Sequence, residues 1–264
     1  MIEPKPKLSL AKDLLESSKS MTVDQARFLV DTYYQIQDAR IRASAQVRSL
    51  VTSEEPHSLL DWVGDVNAEL ENKIKRTLDI YAKHNPVGQW SLSITGIGPV
   101  IAAGLLAHID ITQAPTVGHI WRYAGQDPTC IWEKGQKRPW NASLKTLCWK
   151  IGESFVKVSG NKRDIYGQYY LQRKEQEIIK NENLEFKDQA DVKVKKVGKS
   201  TEAYKSYSIG KLPKGHIHAR AKRYAVKLFL SHWHEVAYRD YFKADPPLPY
   251  PISILGHAHH IKAA

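Results

Sequence analysis

One stretch constrains this chain more than any other: Ser91-Leu92-Ser93-Ile94-Thr95-Gly96-Ile97-Gly98-Pro99-Val100-Ile101-Ala102-Ala103-Gly104-Leu105-Leu106. An apolar helical turn runs into Gly96-Ile97-Gly98, and a second apolar helix opens with Pro99. The two glycines permit the tight, partly left-handed backbone that turns one helix onto the next. Proline fits the first helical position, where its missing N–H leaves nothing unpaired. Ala102, Ala103 and Gly104 are small enough for close helix approach. The pattern is that of a helix-hairpin-helix, which offers backbone N–H groups and a helix N-terminus to a phosphate. On this reading Thr95, Gly96, Ile97, Gly98 and Val100 hold the phosphate. A tight turn between two core helices accounts for the same residues without a ligand.

The flanking periodicities predict a mainly α fold. Residues 1–20 are polar, contain Pro4 and Pro6, and read as a partly ordered arm. Thr22-Val23-Asp24-Gln25 is a capping box and opens a helix over 23–50. Ala26, Tyr33, Arg40 and Val47 recur every seven residues, as do Leu29, Ile36, Ala43 and Leu50. That seam, with Arg40 as its one charged interruption, suits a coiled coil or an amphipathic helix lying on its own domain. After Ser53-Glu54-Glu55-Pro56, a second helix carries Leu59, Val63, Val66, Leu70, Ile74, Leu78 and Tyr81 on one face. The two helices over 21–85 form a coiled-coil-like hairpin within the chain or a dimer arm between chains. Residues 86–245 then form a helical domain containing the helix-hairpin-helix, and 246–264 a Pro-rich, extended tail.

Within that domain, in His119-Ile120-Trp121-Arg122-Tyr123-Ala124-Gly125-Gln126-Asp127-Pro128, Gly125 reads as a helix C-cap and Pro128 prevents continuation. The next segment, Glu133-Lys134-Gly135-Gln136-Lys137-Arg138-Pro139-Trp140-Asn141, interleaves cations with tryptophan. Five of the seven tryptophans fall between Trp90 and Trp149. Aromatic faces beside Lys and Arg can stack bases while the charges meet phosphates; the alternative is a solvated basic loop whose tryptophans pack down. Residues 143–160 read as a buried helix carrying Leu144, Leu147, Trp149, Ile151 and Phe155. A charged helix follows over 163–181. Residues 182–213, rich in lysine with Gly, Ser and Asn, read as a basic inserted loop or short hairpin, either solvated or a phosphate-contacting arm. A last helix over 216–240 sets an apolar stripe (Ile217, Ala221, Tyr224, Leu228) beside a basic one (Arg220, Arg223, Lys227).

The charge balance selects the partner class. Lys+Arg number 39 against 28 Asp+Glu, a net of +11. Such a field attracts polyanions, nucleic acid before anionic membrane. No apolar run approaches a bilayer span, and Met1-Ile2-Glu3-Pro4-Lys5 lacks the core of a secretory signal. The expected setting is cytoplasmic and nucleic-acid-associated, with no membrane partner. Cys130 and Cys148 are too few for a disulfide framework. Seven of the eleven histidines lie between His216 and His260, but pairs two apart point to different sides of a helix, so zinc is disfavoured and these read as surface or nucleic-acid-facing histidines. There is no Gly-Lys-Ser phosphate loop and no acidic cluster after predicted strands. No cofactor and no catalytic residue are expected.

Several of these motifs together resemble one family. Gly96-Ile97-Gly98-Pro99-Val100-Ile101-Ala102-Ala103, Tyr123-Ala124-Gly125 with Pro128, and Asn141 with Leu144-Lys145 look like the C-terminal domain of the RNA-guided insertion-sequence transposases. Those proteins pair a RuvC-like DEDD domain with a C-terminal helix-hairpin-helix domain. The helix before the motif resembles the family's coiled-coil arm, and the resemblance extends more loosely over residues 58–240. In the family the RuvC-like domain precedes the coiled coil and supplies four acidic metal ligands; residues 1–57 here look helical instead. The family's nucleophilic serine would fall at or near Lys137, and no serine occurs between Ser93 and Ser143. Ser143 lies on the wrong side of Asn141. The resemblance therefore implies the nucleic-acid-binding half without its chemistry, binding DNA, branched forms included, or structured RNA. A recombinase or nuclease with a relocated nucleophile, and a mobile-element or phage assembly subunit, stand as alternatives. The candidate contacts are Thr95, Gly96, Ile97, Gly98, Val100, Lys134, Lys137, Arg138, Trp140, Asn141, Lys145, Arg220, Arg223 and Lys227, with dimerisation through the first helices.

Overall fold

Helices account for all the regular structure in the described part of the chain. The computed structural model describes residues 12–54 and 57–249. Most of the expected polar arm, the tail from residue 250 and with it His257, His259 and His260 lie outside the described residues. Among the described residues there is no strand, and the fold is mainly α as the periodicities predict. The chain divides into two compact units.

The first unit contains α1 (Lys12–Ser17), a 3₁₀ turn at Ser18–Ser20, α2 (Val23–Thr52), α3 (Ser58–Lys83), α4 (Pro86–Ser93) and α5 (Pro99–His108). Thr22 starts α2 as a full capping box: its hydroxyl accepts from the Gln25 amide at 3.2 Å, and its own amide donates to the Gln25 side chain at 2.9 Å. Helices α2 and α3 pack side by side and both meet α5. Val30, Tyr33, Ile74, Leu78, Val100 and Ala103 form the core, with Leu29, Ile36 and Tyr81 around it. Arg40, the charged break in the heptad seam, reaches across to Glu71 at 2.5 Å. Tyr33 and Gln37 also donate to that carboxylate, at 3.0 and 3.1 Å. Burial alone would push the Glu71 carboxyl up, but these three donors hold it below the ordinary glutamate value. At the far end, Arg27 donates twice to the Ala107 carbonyl, at 3.1 and 2.7 Å, and closes the C-terminus of α5.

The second unit contains a 3₁₀ turn at Ile111–Gln113, α6 (Val117–Tyr123), α7 (Ala142–Val158), α8 (Tyr166–Glu182), α9 (Lys187–Val194), α10 (Glu202–Ser208) and α11 (Lys214–Phe242). Helix α11 is its spine, meeting α6, α7, α8 and the 3₁₀ turn. Phe155 stacks on Tyr166 and Phe229 meets both rings edge-on, with centroids 5.0–5.5 Å apart; Leu144, Leu147, Ile151, Val226, Leu230 and Trp233 are buried in the same unit. Cys148 belongs to this core, its thiol pushed up to about 12 by burial.

Four features of the structure differ from expectation. Residues 182–213 are not a loop or hairpin: they hold α9 and α10, whose Phe186, Ala190 and Tyr207 pack with Leu212 and Ile217 into a small core of their own. Asn181 fastens the return of this excursion, donating to the Leu212 carbonyl at 3.0 Å and accepting from its amide at 2.7 Å. Trp149 is not buried on α7 but 58% exposed. On α11 the apolar face is broader than the expected stripe; Tyr224 lies exposed, while Ala225, Val226, Phe229 and Trp233 are buried. None of the described histidines of α11 is fully exposed either. His232 and His234 are buried, and three histidines pair with tyrosine hydroxyls: His232 with Tyr166 at 2.7 Å, His218 with Tyr170 at 2.8 Å and His216 with Tyr207 at 3.4 Å. The physical reason is the position of α11, which is packed on opposite sides, so histidines pointing opposite ways are both enclosed.

Candidate nucleic-acid interface

The glycine-containing turn divides between the two units. In the second unit, Gly96 adopts φ +95°, a conformation that favours glycine. A Cβ there would lie 3.1–3.4 Å from Val158, Ser154 and Phe155, and the Ser154 hydroxyl donates to the Gly96 carbonyl at 2.5 Å. Thr95 donates its hydroxyl to the Arg163 carbonyl at 3.3 Å. In the first unit, Gly98 is extended, with φ −96° and ψ 175°, so only one of the two glycines is left-handed. Pro99 occupies the first turn of α5, as its ring favours, and Gly98 brings that turn no side-chain cap. A Cβ on Gly98 would meet nothing within 4 Å. Ile97 and Val100 are buried, so either could meet a ligand only through its backbone.

The tryptophan-rich segment gathers most of the remaining candidates, all within the second unit. Gly125 takes φ +64° just past the end of α6, as a C-terminal glycine does. Asn141 caps α7, accepting from the Leu144 amide at 2.8 Å and donating to the Tyr123 hydroxyl at 3.0 Å. Lys145, one turn on, lays its ammonium 3.7 Å from the centroid of Trp140. Trp140 meets Trp132 edge-on at 6.2 Å, and the Arg138 guanidinium lies 5.7 Å from the Trp132 centroid. The Trp132 indole N–H donates to the Gln136 carbonyl at 2.8 Å and steadies the loop. Burial, followed by repulsion from Arg138, pushes the Lys145 ammonium down from its ordinary value. Lys134 and Lys137 stand exposed on the same segment.

The basic residues of α11 divide. Arg220 pairs with buried Glu177, which Arg173 also meets at 2.6 Å, and covers the Phe186 ring at 4.4 Å. Its place is structural. Lys227 lies half-buried 4.1 Å from the Trp121 centroid, and its carbonyl accepts from the Trp121 indole at 3.1 Å. Arg223 is exposed. Reading the sequence for sites missed Trp121, Trp132 and Trp149, and also Lys222, which lies 5.7 Å from the Trp149 centroid. A signal for Trp149 was present: it follows Lys145 by one turn, opposite the face of Leu144, Cys148, Ile151 and Phe155.

The arrangement offers cations, ring faces and backbone amides. Among the described residues no group of three or more His, Cys, Asp or Glu is arranged to share a metal ion, and no helix is long and apolar enough to cross a membrane. Comparison of the chain with protein-family models, with curated proteins and with solved structures finds no match.

Proposed function

We propose that this chain binds nucleic acid, DNA (branched forms included) or structured RNA, mainly through backbone phosphates, in the manner of the C-terminal domains of RNA-guided insertion-sequence transposases and without strand chemistry of its own. One observation carries the reading most: Arg138 and Lys145 lie close together over tryptophan rings, and no carboxylate pairs with either among the described residues. Two neighbouring cations with no internal counter-charge form a site for an external anion, and the net charge of +11 supports the same partner class. The first turn of α5 would add a second phosphate contact through its amides. Self-association through α2 and α3 belongs to the same proposal, supported by the exposed apolar Ile41, Val51, Leu59 and Trp62, and sedimentation at several concentrations tests it.

The test of the function is binding of labelled duplex, four-way junction and folded RNA across a salt series, with cleavage read on the same samples. Expected is binding whose affinity falls steeply with salt, without nicking or covalent attachment. Gly98→Ala is the sharp variant. The fold has room for the methyl group, so stability should hold while phosphate approach to the first turn of α5 is obstructed and affinity drops. Absence of binding to all three nucleic acids at low salt sinks the proposal, and metal-independent covalent attachment returns the chain to the recombinases.

A further inference from the structure

Three of the cation–tryptophan pairs of the second unit form a strip. Arg138 lies by Trp132, Lys145 by Trp140 and Lys222 by Trp149, at 5.7, 3.7 and 5.7 Å from the ring centroids. The pairs are contiguous: Trp132 touches Trp140 edge-on, and Lys145 and Trp149 stand one helical turn apart on α7. From Asn141 to Trp149 the strip covers roughly 12 Å of helix axis at the usual rise per residue.

Two features separate this strip from ordinary surface packing. Trp149 is 58% exposed and Trp132 36%, in a unit whose Trp233 is buried; leaving large rings in water forgoes the burial that would stabilise the fold. The cations beside the rings also differ in their other partners. Lys222 is paired with Glu153, whereas Arg138 and Lys145 have no carboxylate among the described residues. The positive field is therefore concentrated at the Trp132–Trp140 end, and the open ring face at Trp149.

Resting on the reading above that the chain binds nucleic acid, we infer that this strip takes unpaired nucleotides, with bases stacked on Trp149 and its neighbours and phosphates drawn to Arg138 and Lys145. An intact duplex satisfies its base faces internally, so exposed indoles have nothing to stack on there. An unpaired strand offers a π face at every base and a phosphate between each pair, which is the alternation the strip presents. The preferred partner is thus a single strand, or the unpaired loop or branch point of a folded nucleic acid.

The experiment compares an unstructured labelled oligothymidylate with a blunt duplex of equal length, at matched low salt, on the full chain. The variants are Trp149→Ala and Trp149→Phe, with circular dichroism confirming the helical fold. Expected is a loss of about tenfold in single-strand affinity for Trp149→Ala, within the range for one lost base stack. Duplex affinity should stay unchanged, and Trp149→Phe should recover most of the loss. Quenching of tryptophan fluorescence by the oligothymidylate should accompany binding. If the wild-type chain binds both nucleic acids and Trp149→Ala weakens neither or both equally, the strip inference is overturned while nucleic-acid binding stands. If the wild-type chain binds neither, the underlying reading fails and the inference with it.

Discussion

Glu71 in the first unit and Glu177 in the second are each enclosed by arginine, with side chains only 12% and 1% exposed, whereas Arg138 and Lys145 lie over indole rings with no carboxylate joined to them among the described residues. The difference separates two uses of positive charge. Around Glu71 and Glu177 the arginines are neutralised internally and hold helices together. Around Trp132 and Trp140 the charges stay open and project their field outward. A net charge of +11 counts both kinds alike, so it is the pairing, and not the total, that shows where charge stays open.

The strongest way to break the comparison is at Glu177. Glu177→Ala leaves Arg173 and Arg220 without their buried partner and should cost about 4 kcal/mol in urea unfolding, the usual scale for breaking a buried pair from one side. A loss below about 1 kcal/mol, comparable to an exposed pair, would show the triad to be no more structural than the tryptophan loop. Glu71→Ala removes the acceptor for Arg40, Tyr33 and Gln37 in a less enclosed setting, and about 2 kcal/mol is expected. Both glutamates have folded pKa values below their unfolded ones. Their contribution is therefore complete above the unfolded value of about 4.3 and disappears as pH falls through the folded value. Glu→Gln at either position should flatten that part of the acid unfolding curve.

The histidines of the second unit supply a smaller, higher-pH effect. Burial pushes His216, His218 and His234 down from the ordinary histidine value, so the folded unit favours their neutral forms. Stability should be full above the unfolded value of about 6.5 and decline as pH falls through the folded values. A urea midpoint that stays level as the solution is acidified from pH ~7 to ~5 contradicts this. Smallest in stability, and most informative, are Arg138→Ala and Lys145→Ala. Each should shift unfolding by less than about 0.5 kcal/mol while lowering the salt slope of nucleic-acid binding by roughly one. Equal and large stability losses at these positions would erase the distinction between internal and open charge.

What the sequence disclosed tracks how local the physics is. The Thr22 capping box, Pro99 at a helix start, Gly96 in the left-handed region and Gly125 after a helix end are decided within a few residues, and each is found in the structure. The heptad seam of α2 was readable as well, and even its flaw had a use, because Arg40 faces Glu71 from another helix. Tertiary context decided the rest. Phe186, Ala190 and Tyr207 are too sparse among lysines to announce helices, and become a core only when Leu212 and Ile217 close over them. The histidines of α11 read as surface groups because a spacing of two places them on different sides of the helix, and only the packing shows both sides enclosed. Of the candidate contacts, those on the tryptophan segment lie together, Arg220 is claimed by Glu177, and Trp149 was obscured by being counted with the apolar face it opposes.

The two hydrogen bonds between Asn181 and Leu212 have a consequence for how the molecule opens. They pin the chain where the α9–α10 excursion leaves and rejoins the second unit, and the excursion's own core is small. Such an arrangement defines a foldon, a segment whose amide protons exchange with solvent together at a lower free energy than those of α7, α8 and the body of α11. Deuterium uptake over 187–208 should rise as one block while the rest of the unit stays protected, and Asn181→Ala should hasten it. The segment, whose lysines are already exposed, would then open as one concerted flap, on a clock set by a single asparagine.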